Sequence, residues 1–235
     1  MLSVSVGPTV LYESAESNQF AYYEYKYLVP HGILHNVFEM LEELYGGSDP
    51  FPDGVVDSIY YDTQDEFFLS ECVNGNANKV KFRIRGYGGD FQQVHQKIKH
   101  MSTVSKHKSS IVRISSNGSF APDWQQLQPR ILGDPEFFII QQYSERAGPL
   151  FPSIRVRYHR FRYRTYDYRI TLDTNIEVSS LTNGLPRLVF NANLPDHVLE
   201  IKTMQLRPKL PFIGLIKLSP VSFSKFMLGL QLLND

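Results

Sequence analysis

Basic residues recur at every second position in the segment Lys79 to Tyr87, where Lys81, Arg83 and Arg85 alternate with Phe82 and Ile84. Period-2 alternation is the pattern of a β-strand, whose successive side chains point to opposite faces. One face of this strand is cationic and the other apolar, so a fold must bury the second and give the first something to meet. The arrangement repeats along the chain. Gln92 to His100 sets Lys97 and Lys99 on one face and Ile98 on the other. Glu24 and Lys26 share a face against Tyr23, Tyr25 and Tyr27, and Glu200 and Lys202 share one against Leu199 and Ile201.

Overall charge hides this. The 24 Lys and Arg balance 24 Asp and Glu, which excludes a protein that coats nucleic acid through bulk charge. Between Tyr27 and Asn78 there is no Lys or Arg, whereas Lys79 to Lys108 carries Lys79, Lys81, Arg83, Arg85, Lys97, Lys99, Lys106 and Lys108 against the single acid Asp90. An ordinary solvated sheet mixes signs to limit repulsion between neighbours. Outward-facing charge would explain any one of these strands. Four of them with few carboxylates favour a sheet curled with its charged faces inward around a polyanion. Arg forks and Lys point charges suit phosphate oxygens, and interior carboxylates suit a hard divalent cation that bridges phosphates.

The rest of the chain supplies the frame. Strands are expected at Tyr22 to Val29, Val55 to Asp62, Lys79 to Tyr87, Gln92 to His100, Ser109 to Ser115, Ile154 to Arg164, Tyr168 to Val178, Leu188 to Phe190 and Val198 to Thr203. Ile33, Leu34, Val37, Phe38, Leu41 and Leu44 fall at helical spacing before Gly46-Gly47, which predicts a helix over His31 to Tyr45. Thr63 to Cys72 reads as a short helical or irregular connection, Trp124 to Tyr143 as one or two helices, and Ser222 to Leu233 as an amphipathic helix. The expected fold is α+β, an antiparallel sheet closing into a barrel with covering helices. Residues 1–21 are expected to be a loose N-terminus and 22–235 one domain.

Other chemistries find little support. The single Cys72 excludes an intramolecular disulfide and fits a reducing cytoplasm. No stretch reaches the roughly 18 apolar residues of a membrane span. His31 and His35 are four apart but stand at a helix start beside Pro30, and Gly86 to Gly89 opens no helix, so neither reads as a metal or nucleotide motif. Asp62 and Asp173 fit either an interior site or strand ends.

In order along the chain stand Tyr23-Glu24-Tyr25-Lys26-Tyr27-Leu28-Val29-Pro30, Ser58-Ile59-Tyr60-Tyr61-Asp62-Thr63, Lys81-Phe82-Arg83-Ile84-Arg85, Arg169-Ile170-Thr171-Leu172-Asp173, Leu199-Glu200-Ile201-Lys202 and Phe223-Ser224-Lys225-Phe226. This succession resembles VTC domains, the catalytic domains of vacuolar-transporter-chaperone-type polyphosphate polymerases in the triphosphate tunnel metalloenzyme (CYTH-like) superfamily. The resemblance implies an eight-stranded antiparallel tunnel that takes ATP and inorganic polyphosphate with Mn²⁺ or Mg²⁺, and implies that the γ-phosphate of ATP passes to the growing polymer. It further implies that Lys26, Arg83, Arg85, Lys99, Arg160, Arg169 and Lys225 bind phosphate with Ser224 as a hydroxyl donor, that Arg83, Arg85, Arg160, Arg169 and Glu200 are catalytic, and that Glu200 with Glu24 holds the metal; Lys97 and Lys202, on the same faces, are expected to bind substrate as well. Nucleic acid and a membrane segment are not implied.

Three positions depart from the superfamily pattern. Tyr22 stands where E-x-E-x-K begins with a carboxylate, Lys97 where a Glu is common, and Ser222 where a basic residue is common. Fewer carboxylates argue against tight two-metal hydrolysis of a free triphosphate. The expected activity is thus polymerase, with a tunnel triphosphatase or a non-catalytic triphosphate-binding module as the alternatives.

Overall fold

The computed structural model describes residues 9–15, 18–74, 78–87, 90–100, 103–110, 138–182, 185–206, 208, 210–221 and 224–225. Ten strands run through them: β1 (Thr9–Ala15), β2 (Asn18–Pro30), β3 (Asp53–Asp62), β4 (Asn78–Tyr87), β5 (Asp90–His100), β6 (Thr103–Ser110), β7 (Phe151–Arg164), β8 (Tyr168–Thr182), β9 (Leu185–Asn193) and β10 (Asp196–Thr203). They hydrogen-bond in the order β10, β2, β1, β6, β5, β4, β3, β7, β8, β9, and β10 bonds β8 as well. The pairings therefore run from β10 round to β8 and back to β10, with β9 as an extension of β8. All are antiparallel except β1 with β6, a parallel contact of two residue pairs. The expected antiparallel sheet is present, with ten strands in place of eight and this one short parallel seam.

Two apolar layers fix the curl. On the outer face, Tyr27, Val29, Tyr163, Ile170, Leu172, Leu199 and Ile201 are buried with Val37 and Leu41 of α1 (Leu34–Tyr45) and Phe212 of α4 (Pro211–Leu215). Helix α1 follows a single 3-10 turn at His31–Ile33, and stops where Gly46 N donates to Glu42 O at 2.8 Å and Gly47 takes a left-handed φ of 70°, a conformation glycine adopts without a Cβ penalty. Its expected apolar stripe is the face that docks. Further round, Ile59, Tyr61, Phe82 and Ile84 are buried on the outer face of β3 and β4, where α2 (Phe67–Val73) packs. Asp62 Oδ1 accepts from the amides of Thr63 and Phe68, each at 2.8 Å, so Asp62 caps this connection. A third helix, α3, spans Phe138–Ala147.

The inner face is divided lengthwise. Val56, Ile154, Val156, Ile176, Val178, Leu194 and Val198 fill one part of it, together with the rings of Tyr60 and Tyr158. Charged side chains occupy the rest.

Several element boundaries differ from expectation. Thr9–Ala15 is a strand within the stretch expected to be loose, paired from Thr9 opposite Glu24 to Ala15 opposite Asn18. The third basic strand is Thr103–Ser110, six residues before the expected start at Ser109. Of its expected span, residues 111–115 lie outside the described residues, as do 124–137 of the middle helical segment and all but Ser224 and Lys225 of the C-terminal one.

Candidate functional site

Antiparallel register lays out the charged face. On β2 and β10, Lys26 lies opposite Glu200 and Glu24 opposite Lys202, so two sequence-distant motifs interlock as a square of alternating sign. Lys26 Nζ is 2.9 Å from Glu24 Oε1 and 4.0 Å from Glu200 Oε2. Lys202 Nζ is 3.9 Å from Glu24 Oε2 and 3.8 Å from Glu200 Oε1. Burial alone would raise the Glu200 carboxyl, but Lys202, Lys26, Arg160 and Lys225 outweigh it and hold the group well below its ordinary range. Burial likewise works against a charged Lys26, and Glu24 with Glu200 more than offsets it, raising the ammonium above its usual value. Glu200 and Lys26 therefore both stay ionised at neutral pH.

The next strands extend the pattern. Thr171 on β8 is opposite Glu200, Asp173 is opposite Val198, and Arg160 on β7 is opposite Asp173. Asp173 is fully buried, with 0% exposure. Arg160 Nε donates to its Oδ1 at 2.6 Å and Nη2 to its Oδ2 at 2.8 Å, while Lys225 Nζ approaches Oδ2 at 2.6 Å. One carboxylate thus holds two cations that were expected on separate elements, Arg160 on a strand and Lys225 on the C-terminal helix, and their charge lowers it against the pull of burial.

Across the lumen, Arg83 Nη1 donates to Tyr60 Oη at 3.0 Å, and Arg85 reaches Ser58 Oγ at 3.3 Å and Tyr158 Oη at 3.4 Å. Lys81 Nζ donates to Ser224 Oγ at 2.8 Å. Arg160 lies 5.2 Å and Lys225 4.9 Å from the centroid of the Tyr158 ring, within cation–π range.

The structure therefore gathers Lys26, Glu24, Glu200, Lys202, Arg160 and Lys225 around one part of the inner face, and Arg83, Arg85 and Ser224 around another. Arg169 is exposed and stands opposite Lys202 and Arg164 at the rim. Lys97 and Lys99 lie opposite Lys81 and Lys79 in register, which puts them on the same sheet face; their side chains fall outside the described residues. Tyr60, Tyr158, Asp173 and Lys81 join the site without having been assigned to it from sequence. A signal was available for Tyr158, Asp173 and Lys81, each of which shares strand parity with an assigned cation, whereas β3 carries no Lys or Arg to mark Tyr60, and a tyrosine on a strand reads equally as core.

Among the described residues no three His, Cys, Asp or Glu side chains converge to hold a metal ion. Glu24 and Glu200 share the same two lysines, so both carboxylates edge one space. That donor set fits a small hard cation which takes its remaining ligands from substrate phosphates and water.

A curled antiparallel sheet with an inner face of arginines, lysines and a few carboxylates defines a tunnel-type fold with a cationic lumen. The VTC domain family model matches residues 21–234, and the chain belongs to that family. Among solved structures it is similar to a candidate adenylate cyclase from Bacillus halodurans, with a TM-score of 0.51 and 15% identity over 86% of this chain and 92% of that one. It also matches a candidate adenylyl cyclase from Hippeastrum, described as having a dominant triphosphatase activity, with a TM-score of 0.49 and 14% identity over 88% and 94% of the two chains. A Pyrococcus horikoshii protein, PH1819, matches with a TM-score of 0.45 and 16% identity over 89% and 99%. No curated protein matches the sequence. The first likeness supports the tunnel-type fold.

Proposed function

We propose that this chain is an ATP-dependent polyphosphate polymerase, transferring the γ-phosphate of ATP onto inorganic polyphosphate within the cationic lumen. The observation that carries the reading is the interlocked set of Lys26, Glu24, Glu200 and Lys202 next to Arg160, Asp173 and Lys225. It combines dense positive charge with two carboxylates suited to a phosphate-bridging cation. Phosphoryl transfer requires little covalent chemistry from a protein, because positioning and charge neutralisation supply most of the rate. Arg83, Arg85 and Arg160 clamp the triphosphate, Lys26, Lys202 and Lys225 neutralise it, and Lys97, Lys99, Arg169 and Ser224 extend the binding surface. Glu200 and Glu24 would hold Mn²⁺ or Mg²⁺. The bound ion would supply Lewis-acid neutralisation of charge on the phosphates.

The acceptor is the terminal phosphate of the polymer. It is anionic at neutral pH, so the transfer needs no general base. The pairing of Asp173 with Arg160 and Lys225 sets up an exchange: an entering phosphate competes with this carboxylate for both cations. The lone Cys72 fits a cytoplasmic setting.

The test is incubation of the purified chain with γ-labelled ATP and Mn²⁺ or Mg²⁺, with and without a short polyphosphate primer, resolving products on a gel. The expected result is a ladder of labelled polymer with an equivalent amount of ADP. Arg83→Ala and Glu200→Ala should each abolish it while retaining the wild-type circular dichroism spectrum. Free phosphate in place of the ladder would make the protein a triphosphatase. ATP bound and unconsumed would make it a binding module.

A further inference from the structure

Tyr60 and Tyr158 stand at the boundary between the apolar and charged parts of the inner face. Both rings belong to the buried apolar cluster, and both hydroxyls meet arginines. Tyr60 is the more enclosed in charge. Its oxygen accepts from Arg83 at 3.0 Å, and the same guanidinium lies 5.7 Å from its ring centroid. Lys81 and Arg85 flank Arg83 on β4, both on the parity that faces Tyr60. From β2, Lys26 acts on the phenol, and from β7, Tyr158 and Arg160 act on the Arg83 it binds; His95 on β5 is the register partner of Arg83. Arginine and lysine side chains donate hydrogen bonds and accept none. An oxygen placed among them is therefore stabilised as an acceptor, and most of all as an anion.

We propose that Tyr60 is a built-in counter-ion of the phosphate site: its oxygen occupies Arg83 in the free protein, and an arriving polyphosphate group displaces it, the displaced phenolate taking a proton from water. This rests on the polyphosphate reading and adds to it a positioning residue and a pH dependence. Burial alone would push the phenol up, but Arg83, Lys81 and Arg85 outweigh it and bring it down to about 7. A phenol with that value is mostly ionised at about pH 8, whereas an unperturbed tyrosine is neutral there. Bound phosphate consumes the field of the cations and adds negative charge beside the phenol, so its proton affinity rises on binding. Linkage then requires proton uptake on binding and weaker binding as pH rises through and above 7. The ring stays in the apolar cluster in either state, so the exchange needs no rearrangement of the fold.

The experiment is calorimetric titration of the full chain with ATP in EDTA at about pH 8, in buffers of different ionisation enthalpy. The terminal phosphate of ATP is already ionised at that pH, so the ligand contributes little proton exchange. Wild-type protein should take up close to one proton per ATP, and its affinity should fall about tenfold from pH 7.5 to 8.5. Tyr60→Phe, which keeps the ring, should take up almost none and lose the pH dependence. In the wild type alone, the tyrosinate absorbance should titrate near neutrality and be suppressed by ATP, a readout that does not depend on the variant folding. Equal proton uptake in both proteins, or binding by the wild type with no uptake, overturns the counter-ion role and leaves the polyphosphate reading standing. Absence of ATP binding at any pH, both in EDTA and with Mg²⁺ or Mn²⁺ added, overturns both.

Discussion

Asp173 shows how one residue can serve stability and function in opposite directions. It is buried and holds both Arg160 and Lys225 at hydrogen-bond distance, and removing one member of a buried ionic set leaves the others uncompensated. Asp173→Asn should cost about 3 kcal/mol in chemical denaturation at pH 7. The carboxyl is held below its ordinary value, so its stabilisation is fully present above the unfolded value of about 3.9 and is lost as pH falls through the lower folded value. The gap between wild type and variant should therefore close below about pH 4. A gap that is absent at pH 7, or unchanged in acid, would remove Asp173 from this role. Added ATP should restore part of the lost stability at neutral pH, because phosphate oxygens take the place of the missing carboxylate. Sequence alone left Asp173 between an interior group and a strand end. The deciding fact is a contact with Lys225, 52 positions away by number, and no local pattern carries it. Glu24, Lys26, Glu200 and Lys202 were legible because their alternation is itself the face on which they meet.

Elements were legible where the two faces of a strand differ in chemistry. β4 and β10 alternate charge with apolar residues, and both lie where expected. β6, by contrast, has Val104 as its sole aliphatic residue among Thr, Ser, Lys and His, so hydrophobic periodicity is silent there and drew the expected strand toward the more apolar residues after Ser110. β1 carries no charge alternation either and pairs mainly with β2. Its strand state comes from the tertiary sheet, which routinely overrides local preference. Helix α1 is the opposite case, since its apolar spacing declares both the helix and its docking face. Val37 and Leu41 are 0% exposed against β2, β8 and β10. Leu41→Ala should therefore destabilise the protein by about 2–5 kcal/mol, measured by denaturant unfolding. Since α1 packs on the outer face, the proposed polymerase activity per folded molecule should remain near wild type. A loss of activity exceeding the loss of folded protein would mean that α1 shapes the lumen directly.

At the scale of the whole molecule, net charge and local charge point to different partners, and the fold decides between them. The chain is formally neutral, so it exerts no strong field at a distance. Its register-paired lysines and arginines share the inner face of a curled sheet, where Arg160 and Lys225 are only 12% exposed as side chains. Cations so placed suit the thin linear polyanion proposed above, and a duplex is the control that tests it. Inorganic tripolyphosphate and ATP should raise the thermal midpoint in a concentration-dependent way, equivalent to about 2.7 kcal/mol at a hundredfold excess over Kd. Double-stranded DNA at equal phosphate concentration should leave the midpoint unchanged. Salt supplies the second discriminant. A lumen that neutralises several phosphates should lose affinity for tripolyphosphate steeply with added salt, as charge neutralisation by Lys and Arg generally does. A midpoint raised equally by DNA and tripolyphosphate would place the working cations on the outer surface, and the shared-face argument from β2, β4, β7, β8 and β10 would fail with it. A shift by tripolyphosphate alone would follow directly from the alternation that first marked these strands, because the same period that gives each strand a buried apolar face turns its charges into the enclosed space.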